Sequence, residues 1–181
     1  MNTLSLIFGY AATATAIVGF QLKKQHQIIM SQFFSNALVA LSYIVLSGSK
    51  IAGGVTCLVG AAQTLINFFY LKKDKTPPKG LTLVFLAAYI GASVLTLSLA
   101  PAVSIPYDLL PLLGSFAFLI GVSTKNSTAT RYWFFANIII WMIYDFSVCA
   151  YTMIISHLVT ALFALIGIIR LDLNKQNKLS K

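Results

Sequence analysis

Charged residues, and acidic ones above all, are scarce in this sequence. Only 9% of its 181 residues are charged, and four Asp and Glu stand against thirteen Lys and Arg. Soluble domains are about one quarter charged, so this content excludes an ordinary soluble globular protein. Because 58% of the residues are hydrophobic, the composition predicts an all-α membrane protein with little mass outside the bilayer.

The sequence also lacks the residue clusters on which catalysis and metal binding usually depend. Cys57 and Cys149 lie far apart in apolar segments, and His26 and His157 stand alone. No metal-ligand spacing and no nucleophile motif occurs, so we predict no metal site, no cofactor and no catalytic residue, and a protein that is not an enzyme. The basic residues do not alternate with aromatic ones, so the net charge of +9 does not indicate nucleic acid binding.

Seven apolar segments are predicted to cross the bilayer, since a span takes roughly 20 residues. They lie at about 1–22, 28–46, 52–71, 81–99, 109–122, 131–150 and 152–171. If the amino terminus is outside, every Lys and Arg except Lys50 falls on the cytoplasmic side. The positive-inside rule therefore predicts an external amino terminus and a cytoplasmic carboxyl terminus.

An internal repeat with an offset of about 101 residues relates the two halves of the chain. The motif FFxN, with a tyrosine seven residues after the asparagine, occurs at residues 33–43 and again at 134–144. Shorter matches before the charged loops extend the similarity to spans one to three and five to seven. Three spans are an odd number, so a fourth span is needed for the second triplet to enter the membrane in the same direction.

This pattern predicts a 3+1+3 architecture of two parallel three-helix repeats joined by a linker helix, as described for SWEET transporters. Residues 1–72 form the first repeat, residues 73–102 a loop and the linker helix, and residues 103–172 the second repeat. Residues 173–181 form a basic cytoplasmic tail.

Polar and aromatic residues within the predicted spans define a candidate site. Asn137, Trp141 and Tyr144 lie on one face of span six, and Asp145 adjoins them. Polar groups in hydrocarbon need partners and should point towards the bundle interior. The predicted substrate-binding residues are Asn36, Tyr43, Gln63, Asn67, Asn137, Trp141, Tyr144, Asp145 and His157.

These residues allow two interpretations. In the first they form a central pocket between the halves, in which aromatic rings stack on a substrate, amides bind its polar edges and Asp145 pairs with a cation or proton. In the second they only hydrogen-bond neighbouring helices. For Asp145 the first is favoured, because an unpaired carboxylate within a bilayer is costly. His157 on span seven is a candidate partner for Asp145.

Several short motifs carry a resemblance to a known family. They are DLLPLLG at 108–114, Trp141 followed by YDF at 144–146, the end of span two at 46–48, and IIR at 168–170. In these the sequence resembles the YgjV-type bacterial inner-membrane proteins, allied to the PQ-loop group of SWEETs and nicotinamide-riboside carriers. The resemblance implies this fold and a place in the bacterial cytoplasmic (inner) membrane. Tyr43 and Tyr144 stand where a histidine is common in that family.

The leading functional hypothesis is a small secondary carrier or facilitator for a small polar organic molecule of unidentified structure. The alternative is a non-transporting accessory or sensor protein with a packed polar interior. A cavity lined by Trp141 and the two asparagines would favour transport, and a dry packed interior the alternative. The expected partners are membrane lipid and a small-molecule substrate, without nucleic acid, and a homo-oligomer is left open.

Overall fold

The computed structural model describes residues 3–46, 51–99 and 109–173, and within these ranges all regular structure is helical. Seven α-helices occur there: α1 (Thr3–Gln21), α2 (Gln25–Leu46), α3 (Ile51–Lys72), α4 (Lys79–Leu99), α5 (Leu110–Ser123), α6 (Ser127–Ser147) and α7 (Tyr151–Ile168). A π-helical turn, Ile169–Leu173, continues α7. The prediction of an all-α protein is confirmed.

Four helical segments in the described part of the chain are long and apolar enough to cross a membrane. They are Thr3–Gln21, Gln25–Val45, Gly53–Lys72 and Met153–Asp172. The apolar stretches Lys79–Leu95 and Leu110–Ser123 are shorter. With 14 residues, α5 is only about 21 Å long at 1.5 Å per residue, against a hydrocarbon core of roughly 30 Å.

The seven-span prediction thus holds in part. Residues 100–108, which lead into predicted span five, lie outside the described residues, as do 47–50 and most of the predicted basic tail, 174–181. α6 has 21 residues, but Arg131, Asn137 and Asp145 make it less apolar than the four candidate spans. Crossing by α4, α5 and α6, the division at residues 72 and 102, and the external amino terminus stay predictions.

Local sequence explains where several helices begin and end. Asn126 caps α6, because its side chain accepts a hydrogen bond from the backbone N–H of Thr128 at 2.9 Å. Pro111 occupies the first turn of α5, where its missing N–H costs nothing. α3 and α6 both end in a Schellman motif, with Asp74 (φ 54°) and Cys149 (φ 53°) in the left-handed conformation.

The helices pack largely against their neighbours in sequence. α1 packs on α2 and α2 on α3, and in the same way α5 packs on α6 and α6 on α7. The two groups meet where α1 contacts α7 and α3 contacts α5, with α4 beside α3 and α5. At the α1–α7 contact a β-carbon on Gly167 would lie 2.7 Å from the carbonyl oxygen of Phe20, so only glycine allows this approach.

The outer surface of the bundle is apolar. Leu83 and Val84 of α4, Phe146 of α6 and Tyr151 of α7 are each more than 60% exposed. Soluble monomers rarely expose apolar patches of this kind, whereas a hydrocarbon solvent favours them. Inside, one hydrophobic cluster surrounds the stacked rings of Phe118 and Phe134, whose centroids are 5.2 Å apart.

Candidate functional site

Asp145, near the end of α6, lies at the meeting point of three helices. Its side chain is fully buried. The hydroxyl of Tyr43 on α2 donates a hydrogen bond to Oδ1, and Nδ1 of His157 on α7 lies 2.6 Å from Oδ2. Both carboxylate oxygens therefore have a partner, which offsets the cost of removing the group from water.

Three aromatic side chains lie next to this carboxylate, and we call them the aromatic group. The ring of Trp141, one turn before Asp145, lies 6.2 Å from that of Tyr43 and 5.5 Å from that of Tyr144, which it meets edge to face. A β-carbon on Gly114 of α5 would come within 2.9 Å of the indole nitrogen of Trp141. The glycine of the DLLPLLG motif thus makes room for the indole.

A cavity of about 60 Å³ opens beside the aromatic group. Residues of α1, α2, α6 and α7 form it, with one residue of α3. The lining residues are Gly9, Ala12, Thr13, Ala16, Phe20, Gln32, Ser35, Asn36, Val39, Cys57, Phe134, Asn137, Ile138, Trp141, Met153, Ser156, His157 and Thr160. We call this space the central cavity.

Four of the nine predicted site residues line the central cavity: Asn36, Asn137, Trp141 and His157. Tyr43, Tyr144 and Asp145 lie behind them, in contact with Trp141 or His157. Gln63 and Asn67 are buried on α3. They line neither the central cavity nor the smaller cavity next to it, which is described below. The hydroxyl of Tyr89 on α4 donates to Oε1 of Gln63 at 2.8 Å.

A second, smaller cavity of about 20 Å³ adjoins the first. Asn36, Asn137, Trp141 and Cys57 line both cavities. The two asparagines of the repeated FFxN motif therefore stand at the boundary between the two spaces. One contributes from α2 and the other from α6, each as the last residue of its FFxN motif.

Several buried polar atoms at the central cavity have no hydrogen-bond partner among the described residues. They are Nδ2 of Asn36, Oδ1 of Asn137 and Oγ of Ser156. A buried donor or acceptor left without a partner costs about 1–3 kcal/mol, so such groups are rare in native proteins. Two amide side chains and one hydroxyl with unpartnered atoms thus belong to the residues that line the central cavity.

Sequence reasoning missed part of the lining. Gly9, Ala12, Thr13 and Ala16 on α1 follow the i, i+3, i+4, i+7 spacing of one helical face. The same spacing relates Gln32, Ser35, Asn36 and Val39 on α2. Small residues in register on α1 were a signal in the sequence, but which helix they face depends on packing.

A buried ion pair lies about one helical turn from Phe134, one of the residues that line the central cavity. Arg131 at the start of α6 is paired with Asp172 in the π-helical turn, with 2.8 Å between Nη1 and Oδ1, and both side chains are almost fully buried. Nη2 of Arg131 donates to the carbonyl oxygen of Leu22, just after α1, at 2.6 Å, and Thr128 also donates to Asp172. These contacts tie the ends of α1, α6 and α7 together.

The chain matches the model of the Imp-YgjV family, described as "Bacterial inner membrane protein". The match covers residues 3–175, nearly the whole chain. Comparisons with curated proteins and with solved structures gave no significant match.

Proposed function

The chain belongs to the Imp-YgjV family of bacterial inner membrane proteins, and we propose that it is a carrier or facilitator for a small polar organic molecule. The observation that carries this proposal is the central cavity with its unpartnered polar atoms on Asn36, Asn137 and Ser156. Polar residues that served only to hold helices together would bond mainly to neighbouring helices. The three residues that carry these atoms line the central cavity.

The lining limits the chemistry of the solute. No Lys or Arg stands among the described residues around the central cavity, so the charge of an anion would have no counterpart there. A water position takes about 10–15 Å³, so the volume of about 60 Å³ holds roughly four to six of them. The proposed substrate is an uncharged or cationic molecule of a few non-hydrogen atoms, with both hydrogen-bond donors and acceptors.

The Asp145–His157 pair supplies a proton site beside the solute. His157 lines the central cavity, and Asp145 holds its Nδ1 from behind. Such a contact fixes the orientation and tautomer of the imidazole. A proton, or the positive charge of a cationic solute, would be held between the cavity and the buried carboxylate.

The proposed topology is that of two parallel triplets around a linker, related to the PQ-loop and SWEET group, with the amino terminus outside. It is supported by the repeat partners Asn36 and Asn137, which line one cavity from α2 and α6. Tyr43 and Tyr144 likewise both contact Trp141. In this orientation the buried Arg131–Asp172 pair lies at the cytoplasmic end of the bundle.

Uptake into proteoliposomes tests the proposal. Purified protein is reconstituted and offered a pool of small polar solutes that contains uncharged, cationic and anionic members. We expect protein-dependent uptake of uncharged or cationic solutes only, and at least tenfold slower uptake for Asn137→Leu. The matched control is Phe146→Leu, a change on the exposed face of the same helix. The absence of uptake of every member would favour the non-transporting accessory or sensor.

A further inference from the structure

An open groove runs along the outer surface between α1 and α2 and ends at α3. Its volume is about 660 Å³, and it is open towards the outside of the bundle. Val18, Met30 and Phe34 are among its apolar lining residues, and Val18 and Phe34 are 56% and 48% exposed. α1 and α2 are both candidate membrane spans, so in a bilayer a groove on their outer surface would lie against hydrocarbon.

One end of this groove is basic. Nζ of Lys72, in the last turn of α3, lies 5.8 Å from the ring centroid of Phe68, within the range of a cation–π contact. The ring of His26 meets the same phenyl ring edge-on at 6.4 Å. Within the described ranges, neither Lys72 nor His26 takes part in an ion pair.

Further lysines lie close to that end in the sequence. Lys23 and Lys24 lie exposed just before α2, and Lys73 is exposed directly after Lys72. Asp74 is the one carboxylate close by in sequence, and it is exposed in the turn that ends α3. The mouth of the groove thus carries a surplus of positive charge at the level where the helices leave the membrane.

The length of the groove along α2 and the polarity of its two ends suit a membrane lipid. Phe34 and His26 are separated by eight residues, or about 12 Å along the helix axis. A ligand that spans this distance is apolar at the Phe34 end and negatively charged at the Lys72 end. An acyl chain joined to a phosphate has this polarity, and a soluble phosphate compound does not.

We propose that the groove between α1 and α2 binds an anionic phospholipid. Its acyl chain lies along Val18, Met30 and Phe34, and its phosphate lies between Lys72 and His26. A zwitterionic lipid brings its own positive charge to the same place and gains less from the lysines. The site is separate from the central cavity, and the proposal is independent of any transport activity.

Lipid binding to the purified full-length protein in detergent tests this directly. Native mass spectrometry measures the affinity for phosphatidylglycerol and for phosphatidylcholine at equal chain length. We expect tighter binding of phosphatidylglycerol, and about fivefold weaker binding for Lys72→Gln, the equivalent of about 1 kcal/mol per lysine at a membrane surface. The control is Lys125→Gln, which removes an exposed lysine next to Thr124, a residue that contacts Gln25 at the same end of the bundle.

Equally tight binding of the two lipids would overturn the proposal. So would a loss of phosphatidylglycerol affinity in Lys125→Gln as large as that in Lys72→Gln, because diffuse positive charge would then explain the binding. A second measurement leaves Lys72 unchanged, so it tests the proposal even if Lys72→Gln fails to fold. A tryptophan introduced by Val18→Trp should be quenched by substoichiometric phosphatidylglycerol with brominated acyl chains. The same probe introduced by Leu83→Trp, on the exposed face of α4, should be quenched far less, and equal quenching would exclude a defined groove site.

Discussion

Two substitutions of Asp145 separate its hydrogen bonds from its charge. Asp145→Leu leaves the hydroxyl of Tyr43 and the Nδ1–H of His157 without an acceptor in the bundle interior. Each such loss costs about 1–3 kcal/mol, and removing the buried charge offsets part of it. We therefore expect the free energy of unfolding to fall by roughly 2–4 kcal/mol.

Asp145→Asn keeps the shape and both contacts. The amide oxygen still accepts from Tyr43, and the amide NH₂ can donate to a neutral His157 in its other tautomer. Only the extra strength of the charged hydrogen bonds is lost, roughly 1–2 kcal/mol. Thermal unfolding of the purified proteins in one detergent should rank wild type first, Asp145→Asn second and Asp145→Leu last.

Equal stability of the two variants would show that Tyr43 and His157 do not depend on this side chain, and the geometry of the site would be refuted. The transport consequence is measured separately. In Asp145→Asn, protein-dependent uptake should be lost or should lose its dependence on pH while folding persists. Unchanged uptake with unchanged pH dependence would leave Asp145 a purely structural hydrogen-bonding role.

Three other changes have defined outcomes. Arg131→Met leaves the Asp172 carboxylate buried without its cation and should lower the free energy of unfolding by about 3–5 kcal/mol. The double variant Arg131→Met with Asp172→Leu removes both charges and should recover most of this loss. Thermal unfolding of the two variants measures both effects. Gly114→Leu should displace the indole of Trp141, which is already 2.9 Å from a β-carbon there, and a near-ultraviolet circular dichroism spectrum equal to wild type would contradict this. Reporter fusions after Lys75 and Lys178 should read cytoplasmic and one after Ser104 external, and a cytoplasmic Ser104 would refute the topology.

The repeated FFxN motif shows how far the sequence could lead. Helical periodicity assigns side chains to one face of one helix, and the need to bury polar groups turns that face inward. These two rules placed Asn36, Asn137 and Trp141 on inward faces, and the structure brings all three to one cavity. His157 was a candidate partner of Asp145 because both lie towards the outer ends of their predicted spans, and the structure places the two side chains in contact.

Most other contacts between helices lay beyond this reasoning, because they depend on how each helix is rotated against its neighbours. Gln63 is polar and inward-facing, yet it pairs with Tyr89 of α4 and does not line the central cavity. Arg131 and Asp172 are ordinary flanking charges in the sequence, and only the packing of α1, α6 and α7 makes them a buried pair.

Passage of a solute through the central cavity is tested most directly by filling that cavity. Ala12 on α1 is 2% exposed and lines it, so Ala12→Leu places three additional carbon atoms in a space of about 60 Å³. The control, Ala87→Leu, adds the same atoms at an exposed position on α4. With both variants shown to be folded by size-exclusion chromatography, uptake into proteoliposomes should fall at least tenfold for Ala12→Leu and stay at the wild-type rate for Ala87→Leu. Wild-type uptake by Ala12→Leu would contradict a transport route through this cavity.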